Sequence, residues 1–150
     1  MIADLSPSDR SKYACALHAS KLVKSGMKVG LGTGSTAYWL VYHLAERVRN
    51  EDLKFFGVPT SNKTRDQAQA EGIKVISMDD AGRLDLTIDG ADEFDQSMNL
   101  IKGGGGAHLQ EKIVAFGSDQ MVVIADESKK VKKLGKLPLP DEVLKFGSAS

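Results

Sequence analysis

Five short apolar runs of strand length alternate with helix-like segments: Met27–Leu31, Leu53–Val58, Ile73–Ser77, Leu84–Ile88 and Met121–Ala125. Each is closed by a polar or glycine turn. Such alternation predicts an α/β fold with a largely parallel sheet and helices on both faces. The helix starts are chemically marked. Ser6-Pro7-Ser8-Asp9 offers an N-cap, a proline for the first turn and an acid at the positive dipole end, and Ser61 can cap a third, polar helix. Trp39, Leu40, His43, Leu44, Arg47 and Val48 keep helical spacing, and Ala107–Phe116 reads as another helix.

Parallel sheets bind ligands outside the carboxyl ends of their strands. Gly32–Thr36, Thr60–Ser61, Asp89–Glu93 and Asp126–Lys129 each follow a predicted strand, so all should meet along one edge. The chemistry concentrates in Asp85–Glu111, with Asp89, Asp92 and Glu93, then Lys102, four glycines (Gly103–Gly106) and Glu111. Consecutive glycines are costly to order but permit close backbone approach, and their bare N–H groups can cradle an anion. Carboxylates facing a lysine and such a loop point to proton transfer on an anionic substrate.

The turn Gly30–Ala37 offers backbone amides and the hydroxyls of Thr33, Ser35 and Thr36 for a phosphate. Gly32-x-Gly34-x-x-Ala37 also meets a dinucleotide fingerprint, but the second strand ends in Pro59-Thr60-Ser61 without the ribose-binding acid. No Gly-Lys-Ser/Thr follows the glycines, so a Walker loop is absent. Mg²⁺ on the acids is the alternative; Lys102 and the glycine amides already supply positive potential there. His18, His43 and His108 read as structural or solvated.

Twenty basic and twenty acidic residues leave no net field to draw the chain to nucleic acid or a membrane. The lysine-rich run Lys129–Lys136 lacks the aromatics that would stack bases. No apolar run is long enough to span a bilayer. The single cysteine, Cys15, cannot form an internal disulfide, which together with an N-terminus unlike a signal peptide predicts a cytoplasmic protein.

Gly32-Thr-Gly-Ser-Thr36, Asp89-Gly-Ala-Asp92-Glu93, Lys102-Gly-Gly-Gly105, Glu111-Lys112, Ala125-Asp-Glu-Ser-Lys129 and Leu134–Pro140, in this order, resemble type A ribose-5-phosphate isomerases. The resemblance covers nearly the whole chain. It implies a Rossmann-like catalytic core over 1–135, with 136–150 leading toward a smaller C-terminal domain missing from this chain. It also implies aldose–ketose isomerisation of D-ribose 5-phosphate and D-ribulose 5-phosphate through a cis-enediolate, without metal or other cofactor, in a homodimer or higher homo-oligomer. The implied catalytic residues are Glu111 as base, Asp89 for ring opening, Asp92 for orienting hydroxyls and Lys102 for the oxyanion. Substrate contacts would come from Thr33, Gly34, Ser35, Thr36, Asp89, Gly90, Ala91, Asp92, Lys102, Gly103, Gly104, Gly105 and Lys129. If the short length is real, a sugar-phosphate-binding module without turnover is the alternative.

Overall fold

The computed structural model describes residues 4–143. Its elements are α1 (Pro7–Ser20), β1 (Lys28–Leu31), α2 (Ser35–Glu51), β2 (Phe56–Pro59), α3 (Asn62–Ala70), β3 (Lys74–Val75) and α4 (Met78–Ala81). There follow β4 (Leu86–Asp89), β5 (Glu93–Phe94), β6 (Leu100–Ile101), α5 (His108–Phe116) and β7 (Met121–Val123), then a 3-10 turn over Glu127–Lys129. The main sheet runs β3-β2-β1-β4-β7 with every pair parallel. Strand order reverses between β1 and β4, where Leu31 pairs with Pro59 on one side and Ile88 on the other.

Side-chain alternation divides the core into two layers. Val29, Leu31, Leu86 and Ile88 face Ala16 and Ala19 of α1, Leu40, Val41 and Leu44 of α2 and Ala68 of α3. Val58 and Leu84 meet Val114 of α5 and Ala81 of α4 in a smaller cluster, so helices cover both faces. Gly30 makes the second layer possible. A Cβ there would lie 2.1 Å from Thr87 Oγ1 and 2.6 Å from Val114 Cγ1, so only glycine lets α5 settle against β1.

Ser6 caps α1 through the N–H of Asp9, and Ser61 caps α3 through that of Thr64, as the sequence predicts. The strands are shorter than the apolar runs. Leu53 and Phe55 are buried by packing yet precede β2. The first helix stops at Ser20, and its turn runs on to Gly26, at φ +91°. Three elements carry no apolar periodicity. The short helix α4 is capped by Ser77, and β5 and β6 form an antiparallel hairpin. His43 is buried and bonded to the Tyr13 carbonyl, and burial lowers its pKa, the structural role expected of it.

The segment after β7 stays close to the core. Lys130 bridges to Phe94, and the buried Glu93 carboxylate accepts the N–H groups of Gly135, Lys136 and Leu137. Glu142 accepts the N–H of Leu109 at the start of α5 at 2.6 Å. Of the expected connection over 136–150, residues 144–150 lie outside the described residues.

Candidate active site

The reversal between β1 and β4 opens a crevice, as it must when crossovers leave a sheet in opposite directions. Its first wall is the N-terminus of α2. Gly34 sits at the N-cap at φ +116°, and no side chain caps the helix, so its first-turn N–H groups face the crevice. Thr33, Gly34, Ser35 and Thr36 line it there. Such a helix start can hold an anion on its backbone N–H groups.

Asp89 ends β4 and is 1% exposed. One oxygen accepts the N–H of Thr33 at 3.0 Å and of Gly90 at 2.7 Å. The other accepts Lys102 Nζ at 2.9 Å. Gly32 gives this carboxylate its room, because a Cβ there would fall 2.0 Å from Asp89 Oδ1. Lys102 also donates to the Gly90 carbonyl and approaches Glu111 Oε2 at 3.5 Å. The ammonium therefore joins the two carboxylates.

Glu111 occupies the first turn of α5 and is 5% exposed. Its Oε2 has no hydrogen-bond partner among the described residues and is ion-paired with Lys102 Nζ at 3.5 Å. Burial, then the charge of Asp89, push the Glu111 carboxyl above its ordinary value; Lys102 opposes them and Asp92 adds to them. A buried carboxylate with raised basicity and an oxygen not taken by a hydrogen bond is suited to accept a proton.

The remaining wall is loop. Gly90, Ala91, Asp92, Lys102, Gly103 and Gly105 line the cavity with Glu111 and Lys129, enclosing about 540 Å³ counting its open mouth. Asp92 accepts the Gly104 N–H at 2.8 Å, which ties the glycine loop to the hairpin. Gly103, at φ +100°, packs closely on His108, where a Cβ would come within 2.7 Å of the His108 Cβ and ring Cγ. Nearly all of the expected site residues thus meet around one cavity. Asp89 and Gly104 stand one layer behind its lining. Among the described residues no cluster of three or more His, Cys, Asp or Glu is placed to hold a metal ion.

Sequence reasoning placed Thr60 at the shared edge without giving it a role and missed Thr64; their hydroxyls reach Thr33 at 2.7 and 3.4 Å. The signal for their role was the hydroxyl-rich end of the second strand, Thr60-Ser61, with Thr64 one turn on. Lys12 on α1 went unremarked as well; its charge, with that of Lys129, helps the Ser128 hydrogen bonds hold Asp126 below its ordinary pKa, despite the opposing effect of burial.

Residues 56–150 match the family described as Ribose 5-phosphate isomerase A (phosphoriboisomerase A). The chain is 62% identical over 147 residues to Ribose-5-phosphate isomerase A of Roseobacter denitrificans, covering 98% of this chain and 56% of that protein. The ribose 5-phosphate isomerase A structure from Methanocaldococcus jannaschii superposes with a TM-score of 0.81 at 47% identity, over 84% of this chain and 56% of that one. A D-ribose-5-phosphate isomerase solved in complex with phospho-erythronic acid gives a TM-score of 0.84 at 35% identity, over 86% and 57%. The chain spans a little over half the length of these relatives.

Proposed function

The chain belongs to the ribose 5-phosphate isomerase A family, and from that membership we propose that it interconverts D-ribose 5-phosphate and D-ribulose 5-phosphate. One observation carries the reading: the unpartnered, buried oxygen of Glu111 shares a cavity with the uncapped N-terminus of α2. The helix amides hold the phosphate, and Glu111 stands at the other end of the open-chain sugar. Phospho-erythronic acid, bound by a relative, joins a phosphate to a carboxylate across a short chain. Those two anionic ends suit the α2 amides and Lys102 here.

In the forward direction Glu111 takes the proton from C2 of the open aldose, and the electron pair forms the C1–C2 double bond of a cis-enediolate. Lys102 offsets the charge gathering on the oxygens. Glu111 returns the proton to C1, and the remaining hydroxyl proton passes from O2 to O1, leaving the ketone at C2. Asp92 orients sugar hydroxyls, and Gly90, Ala91, Gly103, Gly105 and Lys129 complete the enclosure. Asp89 acts first as a positioning group, because its oxygens are engaged by Lys102, Thr33 and Gly90; Gly104 acts through Asp92. Ring opening by Asp89 requires Lys102 to release one of those oxygens.

A general base contributes ~10²–10⁴-fold and one oxyanion donor ~10²–10³-fold, so phosphate anchoring must supply the rest of an enzymatic acceleration. The protein works in the cytoplasm as a homo-oligomer, a reading supported by its lone cysteine and by the exposed stripe of Leu109, Ile113 and Phe116 on α5. Ketose formation from D-ribose 5-phosphate, undiminished by EDTA, is the expected result. Absence of turnover by the full chain would refute the isomerase reading.

A further inference from the structure

A buried ladder of hydroxyls runs from the start of α3 to the cavity, and its protons can be counted. Thr60 is fully buried and donates to the Leu31 carbonyl at 3.1 Å. Thr64, 6% exposed, donates to the Gly32 carbonyl at 3.0 Å and accepts from Ser61 Oγ at 3.0 Å. Each hydroxyl has a single proton, so with the Thr60 and Thr64 protons on the Leu31 and Gly32 carbonyls neither threonine has one left for Thr33. In that arrangement the Thr33 hydroxyl is the donor of the contact with Thr60, its shorter approach at 2.7 Å. Its backbone N–H is engaged by Asp89.

We infer that Thr60 is a positioning residue that turns the Thr33 hydroxyl into a hydrogen-bond acceptor, so that Thr33 reads a sugar hydroxyl while Gly34, Ser35 and Thr36 take the phosphate. Thr33 lines the cavity yet has no proton to offer an anion. A phosphate, which only accepts, gains nothing from it. A sugar hydroxyl, which donates, fits it. Thr64 and Ser61 fix the other side of the same turn. The inference rests on the sugar-phosphate reading of the cavity and adds to it a division of labour within the loop.

The probe is Thr60→Val, which keeps the side chain's shape. The Leu31 carbonyl still holds the Thr60 backbone N–H at 2.9 Å, so the principal loss is the acceptor for Thr33. Calorimetry of the full chain with D-ribose 5-phosphate and, separately, with inorganic phosphate reads the effect. The expected result is ~3–10-fold weaker binding of the sugar phosphate, the range of one neutral hydrogen bond, with phosphate affinity within about twofold. KM should rise more than kcat falls, and Thr60→Ser should restore the parent's values.

Equal weakening of both ligands, unchanged sugar-phosphate affinity, or a serine variant no better than valine would overturn the inference. Failure of the parent to bind D-ribose 5-phosphate would overturn it too. Binding by the parent without turnover would instead sink only the isomerase reading, and the comparison of affinities would still decide this one.

Discussion

Replacing Glu111 with glutamine keeps the side chain's shape and removes its charge, which separates what the site costs from what it does. The variant loses the base, worth about 10²–10⁴ in kcat, or roughly 2.7–5.5 kcal/mol of transition-state stabilisation. It should nevertheless be the more stable protein. The parent keeps a buried carboxylate oxygen, on a residue 5% exposed, without a hydrogen bond, with Lys102 at 3.5 Å as partial compensation. An unsatisfied buried acceptor costs about 1–3 kcal/mol, and with part returned by Lys102 a net gain of about 1 kcal/mol is expected. For a chain of this size that is a rise in Tm of about 2–4 °C.

The pH dependence fixes the cause. The folded-state pKa of Glu111 is raised, chiefly by burial and then by Asp89, so its contribution to stability is full below the unfolded value and is lost as pH rises through the folded one. Parent and variant should therefore melt together below about pH 4 and diverge on going to neutral pH, with the glutamine form higher. Calorimetric melting at several pH values, beside kcat from ketose formation, measures both halves. A variant with parent-like kcat would refute the base assignment, and a stability gap constant across pH would refute the electrostatic argument.

Lys102→Met strips the shared cation from two buried carboxylates, so it should destabilise by about 3–5 kcal/mol in denaturant unfolding and cost about 10²–10³ in kcat; near-parental values in both would contradict the bridging role. Gly32→Ala places a Cβ 2.6 Å from the Asp89 Cα, backbone that cannot yield like a side-chain tip, so a loss of about 1–3 kcal/mol and of most activity is expected, read by melting and turnover. Glu93→Gln should free the segment around Gly135. Burial acts to raise the Glu93 pKa, but three backbone N–H groups and Lys136 bring it below the ordinary value. The tether is therefore strong above the unfolded pKa and lost as pH falls through the folded one. Trypsin should cleave after Lys130, Lys132, Lys133 or Lys136 faster in the variant than in the parent; equal rates would show that Glu93 does not hold this segment.

Much of the arrangement was legible because its causes are local. Ser6 and Ser61 cap the helices they precede, and the apolar runs mark the strands. The rule that loops after parallel strands meet at one edge brings Thr33–Thr36, Asp89–Asp92 and Lys129 together without any knowledge of long-range packing. What escaped depends on partners distant in sequence. Glu93 looked like one more acid in an acidic turn, yet it closes on N–H groups more than forty residues away. Asp89 was legible as a site residue, but its burial beneath Gly32 follows from the register of β1 against β4. Thr60 was placed at the edge, but its hydroxyl contact with Thr33 depends on how β2 lies against β1. The Gly30 contact with Val114 is equally silent in the sequence, because it expresses how closely a helix approaches a sheet.

The most direct test follows hydrogen from C2. D-Ribose 5-phosphate deuterated at C2 is converted by the full chain in ordinary water, and the ketose is analysed for deuterium at C1. A single carboxylate that lifts and returns the proton predicts partial retention at C1, the remainder exchanged with solvent while on Glu111, and no conversion above background with Glu111→Gln. Complete retention at C1, independent of solvent, would mean that hydrogen moves as hydride and never rests on the glutamate.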